Sequence, residues 1–383
     1  MSFDSFIGNS KALTSVREIV AGDRVPGSLL FSGPDGVGKK TLARMLAKAL
    51  VCERSNGDFC DACAHCRKAE EMFTAAEEDL ARRREMKEAA RRVEGLVYFD
   101  FQILEPLTRF ILTEQIRQVR HVAYTRPFEF PRRMFIIDDA QTIHWQAADL
   151  LLKVLEEPPE STFFILICSN PYELRPTIRS RCSQILFQPV AESALLELLP
   201  KQKGWNKTQV VLGARVASGS VAKARSFDLA AYEQRRRPWL EFLGVVAPCA
   251  ALSTGAPDWR PLFDSARALA ESRDDFEATL DIGYSLLRDM LHVLFEGPET
   301  EVTNVDVLAR LQAWAAGLGL HGIELLKSGL DQARRLQIRN VNQQLGFEAL
   351  GMEVSARQSL SPVEAAQRSP GQRRREEMER LSS

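Results

Sequence analysis

Four groups of residues in this chain have the types and spacing to do chemistry. The first is the loop Gly33-Pro34-Asp35-Gly36-Val37-Gly38-Lys39-Lys40-Thr41. Its small residues let backbone N–H groups approach phosphate, and a following helix N-terminus adds partial positive charge. Lys39 supplies a point charge for the outer phosphates. The next position should carry a Ser or Thr hydroxyl to hold Mg²⁺. Here it is Lys40, a cation with no acceptor. Thr41 comes one residue late, about 100° further round a helix, and is badly aimed. The pattern predicts a phosphate loop impaired at its metal position.

The second group is Asp138-Asp139, closing the apolar run Met134-Phe135-Ile136-Ile137. A buried strand ending in two acids puts them beside the glycine loop. In a working ATPase the first acid orients Mg²⁺ and its water, and the next, normally Glu, polarises the attacking water. Asp139 is one methylene short of that. Asn170 follows another apolar strand, Thr162–Cys168, where its side chain could touch a γ-phosphate or its water. The third group is Arg175, Arg179 and Arg181, three arginines within seven loop residues. That density exceeds what packing alone requires.

The fourth group is Cys52, Cys60, Cys63 and Cys66. Cys-x-x-Cys pairs can share one metal, and four thiolates complete a tetrahedral Zn²⁺ with no open position. The expected zinc is therefore structural. His65 could replace one ligand, but four cysteines make the simpler set.

These residues need elements to carry them. Ser28–Ser32 reads as a buried strand before the loop and Leu42–Leu50 as a helix after it. Lys11–Val20 reads as a lead-in helix, and Thr113–Val119 as a helix with a Thr N-cap. Leu96–Phe99 and Phe101–Leu104 read as strand, and Thr142–Glu157 as a helix ended by Pro158-Pro159. Residues 67–94 are dense in charge, with Met72, Leu80 and Met86 as sparse apolar points, which predicts a solvated helix or hairpin. Arg82-Arg83-Arg84 and Arg91-Arg92 could touch phosphate there, but the interspersed acids favour a solvated face.

The chain has 383 residues, 45% hydrophobic, with 50 basic against 51 acidic residues and a net charge of −1. It is large enough for two or three domains and has no global basic field for nucleic acid. No apolar run approaches the about 20 residues a membrane span needs. The first residues lack a secretory leader, so the expected location is cytoplasmic. Seven cysteines in a reducing compartment argue for metal binding or burial rather than disulfides.

The glycine loop, the four cysteines, Ile136-Ile137-Asp138-Asp139-Ala140, Leu151–Pro159, Ser169-Asn170-Pro171 and Ser180-Arg181-Cys182 occur in this order. So arranged, the chain resembles the bacterial clamp-loader AAA+ subunits of DNA polymerase III. Leu286–Leu291 and Arg339–Leu345 resemble that family's C-terminal collar helices, so the likeness covers roughly residues 5–350. Its motor subunits, γ and τ, carry Lys-Thr in the loop and Asp-Glu on the acidic strand. Lys39-Lys40 and Asp138-Asp139 are instead similar to the δ′ stator. Ala222 and Lys223 depart in the same way from the motors' lid arginine.

The resemblance implies no ATP turnover by the chain's own site, with ATP and Mg²⁺ binding there doubtful. It implies that Arg181 is presented to ATP on a neighbouring motor subunit. It also implies a hetero-oligomeric ring with γ/τ and δ subunits, which loads a sliding clamp on primed DNA. The expected fold is an α/β AAA+ domain with a parallel sheet, residues 1–189, holding a zinc module at 52–66 and the charged insertion. A helical lid at 190–231, an all-α collar at 232–351 and a disordered basic tail at 352–383 follow. The charged insertion is not part of the family pattern. Two rival readings are an ATP-hydrolysing γ/τ-type motor and a zinc-containing DNA-binding module of some AAA+ relative.

Overall fold

The computed structural model describes residues 2–22, 25–54, 57–87, 93, 96, 99–247, 259–271, 275–298, 301–337 and 342–358. The chain divides into two compact units, one of residues 1–204 and 217–226, the other of 205–216 and 227–383.

The first unit is built on five parallel strands: β1 (Ser28–Ser32), β2 (Phe101–Leu104), β3 (Arg133–Ile137), β4 (Thr162–Cys168) and β5 (Ser183–Leu186). Their order is β2-β3-β4-β1-β5. β1 pairs with β4 through Ser32↔Cys168 and with β5 through Leu29↔Ser183. β2, β3, β4 and β1 are buried along their whole length, as apolar strands with a helix layer on each face should be. On one face lie α1 (Ser10–Ala21), α2 (Lys39–Val51) and α3 (Ala64–Glu85), with Leu42, Leu46, Phe73 and Phe101 in their core. On the other lie α4 (Thr113–Ala123), α5 (Trp145–Glu156) and the short α6 (Pro176–Arg179), over Phe135, Phe164 and Leu151.

Within the described residues the charged insertion forms the helix α3, Ala64–Glu85, and it is not solvated all round. Ala69, Met72, Phe73, Ala76, Leu80 and Arg83 are buried. The stripe has helical spacing, but two of its members are alanines, so the sequence looked apolar at too few points. Arg82 and Arg83 both pair with Asp79, and Arg84 pairs with Glu105. Arg91-Arg92 and Val97-Tyr98, the latter expected as strand, lie outside the described residues.

The helices expected to form a lid divide between the units. α7 (Glu192–Lys203) and α9 (Val221–Ser226) group with the sheet, whereas α8 (Lys207–Ala217), apart from Ala217, groups with the helical unit. That unit also holds α10 (Leu229–Val246), α11 (Arg260–Ala270), α12 (Phe276–Leu294), α13 (Leu308–Leu336) and α14 (Gln343–Gln358). Trp239, Phe242, Leu286 and Phe347 form its core. The carboxylate of Asp289, fully buried, accepts from the backbone N–H groups of Thr303 (3.0 Å) and Asn304 (2.7 Å), pinning that segment to α12. α14 continues past Gly351 to Gln358, so the expected tail can start no earlier than 359. Its residues 359–383, and Arg339-Asn340-Val341, lie outside the described residues.

Candidate functional site: a filled phosphate loop and an arginine at the opposite sheet edge

The glycine loop joins β1 to α2, and β3 ends two strands away. A cavity of about 520 Å³ opens there, lined by Gly36, Gly38, Lys39, Lys40, Thr41, Asp138 and Asp139, with Asp35, Ile167, Val221, Ala222 and Arg225. The structure thus brings together most of the nucleotide-site residues read from the sequence. Gly33 and Asn170 are not among its lining residues. Gly33 packs against the Phe187 backbone, where a Cβ would lie 2.2 Å from the carbonyl oxygen. The Asn170 side chain donates to Glu173 (3.2 Å) and accepts from Tyr172 N–H (3.0 Å), so it serves its own turn.

The loop is satisfied from within. Lys39 Nζ donates to the carbonyl oxygens of Gly33 and Pro34, the latter at 2.7 Å. The N–H of Ala222 donates to Gly36 O at 3.0 Å. At Gly36 (φ +74°) a Cβ would stand 2.1 Å from Ser220 Oγ, so α9 and the turn before it press directly on the loop.

Lys40 is held by two acids that the motif did not reveal. Its Nζ lies 3.0 Å from Glu77 on α3 and also pairs with Glu105, the residue after β2. Burial opposes the Lys40 charge, but the hydrogen bonds and charges of Glu105 and Glu77 outweigh it and raise its pKa. Burial likewise works against the Glu105 carboxylate, yet Lys40 and Arg84 bring its pKa below the ordinary value. Burial pushes Asp138 up to about 6, with Lys40 acting against the rise and Glu105 and Asp139 adding to it. Asp139 is exposed, in the left-handed region at φ 51°, and accepts from the Gln141 amide at 3.2 Å.

The pairing continues along α2, whose Lys40, Arg44 and Lys48 recur every fourth residue. Arg44 Nη1 bonds both Glu77 oxygens (3.1 and 3.0 Å), and its Nη2 bonds Glu70. Lys48 bonds Glu70 at 2.6 Å and Asp61 at 2.7 Å. Asp61 lies within the cysteine loop, so one ladder of ion pairs runs from Lys40 to that loop. The signal that could have found Glu105 is an acid closing a strand beside the acidic one.

The four cysteine sulfurs all lie within 4.8 Å of one another, with Cys52 and Cys63 4.0 Å apart. Tetrahedral Zn–S bonds of about 2.3 Å put sulfurs about 3.8 Å apart. Backbone N–H groups of Cys60, Cys63 and Cys66 donate to the sulfurs of Cys52 (3.4 Å), Cys60 (3.2 Å) and Cys63 (3.4 Å). Such donors favour thiolates. The donor set fits a closed zinc site. His65 is turned away from it, with Nδ1 2.9 Å from Val51 O.

Arg181 stands elsewhere. Ser28 Oγ, at the start of β1, donates to its carbonyl at 2.7 Å. The glycine loop follows the other end of β1, about 15 Å away at about 3.3 Å per residue. The Arg181 guanidinium bonds Glu156 Oε1 (2.6 Å) and Thr177 O (3.0 Å), with about a third of the side chain exposed. Arg179 stacks on Tyr172 at 5.1 Å, and Arg175 pairs with Asp149 at 2.8 Å.

A parallel sheet in this order, with a glycine loop after its second-last strand and an acidic strand end beside it, defines a P-loop AAA+ fold. Residues 8–191 match the family model described as "DNA polymerase III, delta subunit". That segment, 184 of the chain's 383 residues, is similar to subunits of DNA polymerase III. It is 29% identical over 180 residues to the DNA polymerase III subunit delta' of Bacillus subtilis, which is 47% of each chain. It is 23% identical over 228 residues to subunit gamma/tau of Mycoplasma pneumoniae, 59% of this chain and 30% of that one. The matches therefore span less than half the length of these relatives. A solved gamma-subunit-related protein of Thermotoga maritima aligns over 90% of this chain and 99% of its own, at 17% identity and a TM-score of 0.41.

Among the described residues, no helix is long and apolar enough to cross a membrane.

Proposed function

We propose that this chain is a δ′-type stator of a DNA polymerase III clamp loader. It helps a ring with γ/τ and δ subunits open a sliding clamp and place it on primed DNA in the cytoplasm. The observation that carries this reading is Lys40, paired with Glu77 and Glu105 where a motor subunit would hold Mg²⁺. A fixed ammonium and an inward-pressed loop disfavour a metal-bound nucleotide in the chain's own site. Arg181, by contrast, is partly exposed at the far edge of the sheet, where a neighbouring subunit's ATP is the reachable target. Its planar fork matches the oxygens of a transferring phosphoryl group. Cys52, Cys60, Cys63 and Cys66 hold one structural zinc. Residues 190–231 act as the lid and 232–351 as the oligomerising collar.

The relatives named gamma/tau favour a second reading, an ATP-hydrolysing motor. Single-turnover hydrolysis by the isolated chain separates the two. The stator reading expects none above background; hydrolysis at the rate of a γ-type motor contradicts it.

A further inference from the structure

We propose that Glu156 is a positioning residue for Arg181, an inference that rests on the trans-acting reading of that arginine. Glu156 is the last residue of α5. A carboxylate is disfavoured at a helix C-terminus, where the helix dipole already places partial negative charge. Its position is explained by its partner: Glu156 Oε1 lies 2.6 Å from Arg181 Nη2. Among the described residues, Arg181 is the one cation that Glu156 meets.

The frame around this pair is closed. Pro158, two residues after Glu156, packs so tightly on Gly27 that a Cβ there would stand 2.5 Å from the proline ring. The residue after Gly27 is Ser28, whose hydroxyl fixes the Arg181 carbonyl. Main chain and side chain of Arg181 are thus tied to the same corner by two routes. An arginine side chain loses rotamer freedom when it engages a phosphate. Glu156 on Nη2 and Thr177 O on Nη1 restrict that freedom in advance, and further N–H donors of the five remain for an incoming phosphoryl group.

The test is DNA-stimulated ATP hydrolysis by the complete ring, assembled with Glu156→Ala, Glu156→Gln, Arg181→Ala or the Glu156→Ala/Arg181→Ala double variant. Glu156→Ala is expected to lower kcat, by up to about 10²-fold at the single interface served. The KM for ATP and ring assembly stay unchanged. Glu156→Gln, which keeps an oxygen acceptor, should retain most of the rate. The double variant should be no slower than Arg181→Ala, because Glu156 acts only through the arginine. Glu156→Ala at the unmodified rate while Arg181→Ala is slow would overturn the proposal. So would a further loss in the double variant. An Arg181→Ala ring of normal rate would instead overturn the reading on which the proposal rests.

Discussion

The ammonium of Lys40 lies 3.0 Å from the carboxylate of Glu77, a residue of the charged insertion. This contact ties the glycine loop to the charged helix α3. Under the proposed reading the lysine takes the loop's metal position, and α3 supplies an acid that keeps it there.

Removing the lysine should be felt in both stability and titration. Lys40→Thr leaves Glu77 to Arg44 and Glu105 to Arg84, and should cost about 1–3 kcal/mol in urea unfolding. Asp138, pushed up to about 6 against an ordinary 3.8, disfavours the folded state at pH 7. That penalty is relieved as pH falls through 6 towards 4. The lowered Glu105 works in the opposite sense: its contribution is present above about 4.5 and is lost as pH falls through its folded value. Carboxylate NMR should find Asp138 near 6 and higher still in Lys40→Thr. An Asp138 titrating below 5, or unmoved by the substitution, contradicts this electrostatic account.

Zinc should be present at one ion per chain and leave with chelator. Double replacement Cys63→Ser/Cys66→Ser should abolish retention. It should also loosen the N-terminal turn, because Asp58 of the cysteine loop accepts from Phe3 N–H at 3.1 Å and Phe3 packs edge-on against Phe59. Elemental analysis and amide exchange at residues 3–6 check this. Full zinc retention by the double variant would show the ligand set to be wrong.

A buried pair outside the site should matter more for folding. The fully buried Asp100 carboxylate accepts from the N–H groups of Phe128, Glu129 and Phe130 and from the Arg133 guanidinium at 3.1 Å. Asp100→Ala strands the Arg133 charge and should destabilise by about 3–5 kcal/mol. Amide protection at 128–130 should fall with it. A loss below about 1 kcal/mol in denaturant unfolding would contradict the assigned role.

The strands were legible because β1, β3 and β4 carry the apolar runs Leu29–Phe31, Met134–Ile137 and Phe163–Cys168. Lys39, Asp138 and the four cysteines were legible because local motifs carry them. Glu77, Glu105 and Glu156 were not, since each acquires its meaning from a cation distant in sequence. Glu77 lies 37 residues after Lys40 and Glu156 lies 25 before Arg181, separations read directly from their numbers. The buried stripe of α3 was missed for another reason: Ala69 and Ala76 pack closely while adding little to an apolar pattern. The turn of Asn170 was not legible either: its side chain donates to Glu173, a local hydrogen bond that no spacing rule specifies.

The central claim, that Arg181 acts on a neighbouring subunit's ATP, is tested most directly in the assembled ring. Arg181→Ala should leave folding, zinc content and assembly intact while slowing DNA-stimulated ATP hydrolysis and clamp loading. An arginine supplied in trans is worth about 10³–10⁵ in rate at its own site. The ring as a whole should lose less, since its other motor sites continue. Arg181→Lys should rescue little, because an ammonium cannot form the two-pronged contact. Hydrolysis and loading by the Arg181→Ala ring at the unmodified rate, at matched ring concentration, would contradict the account.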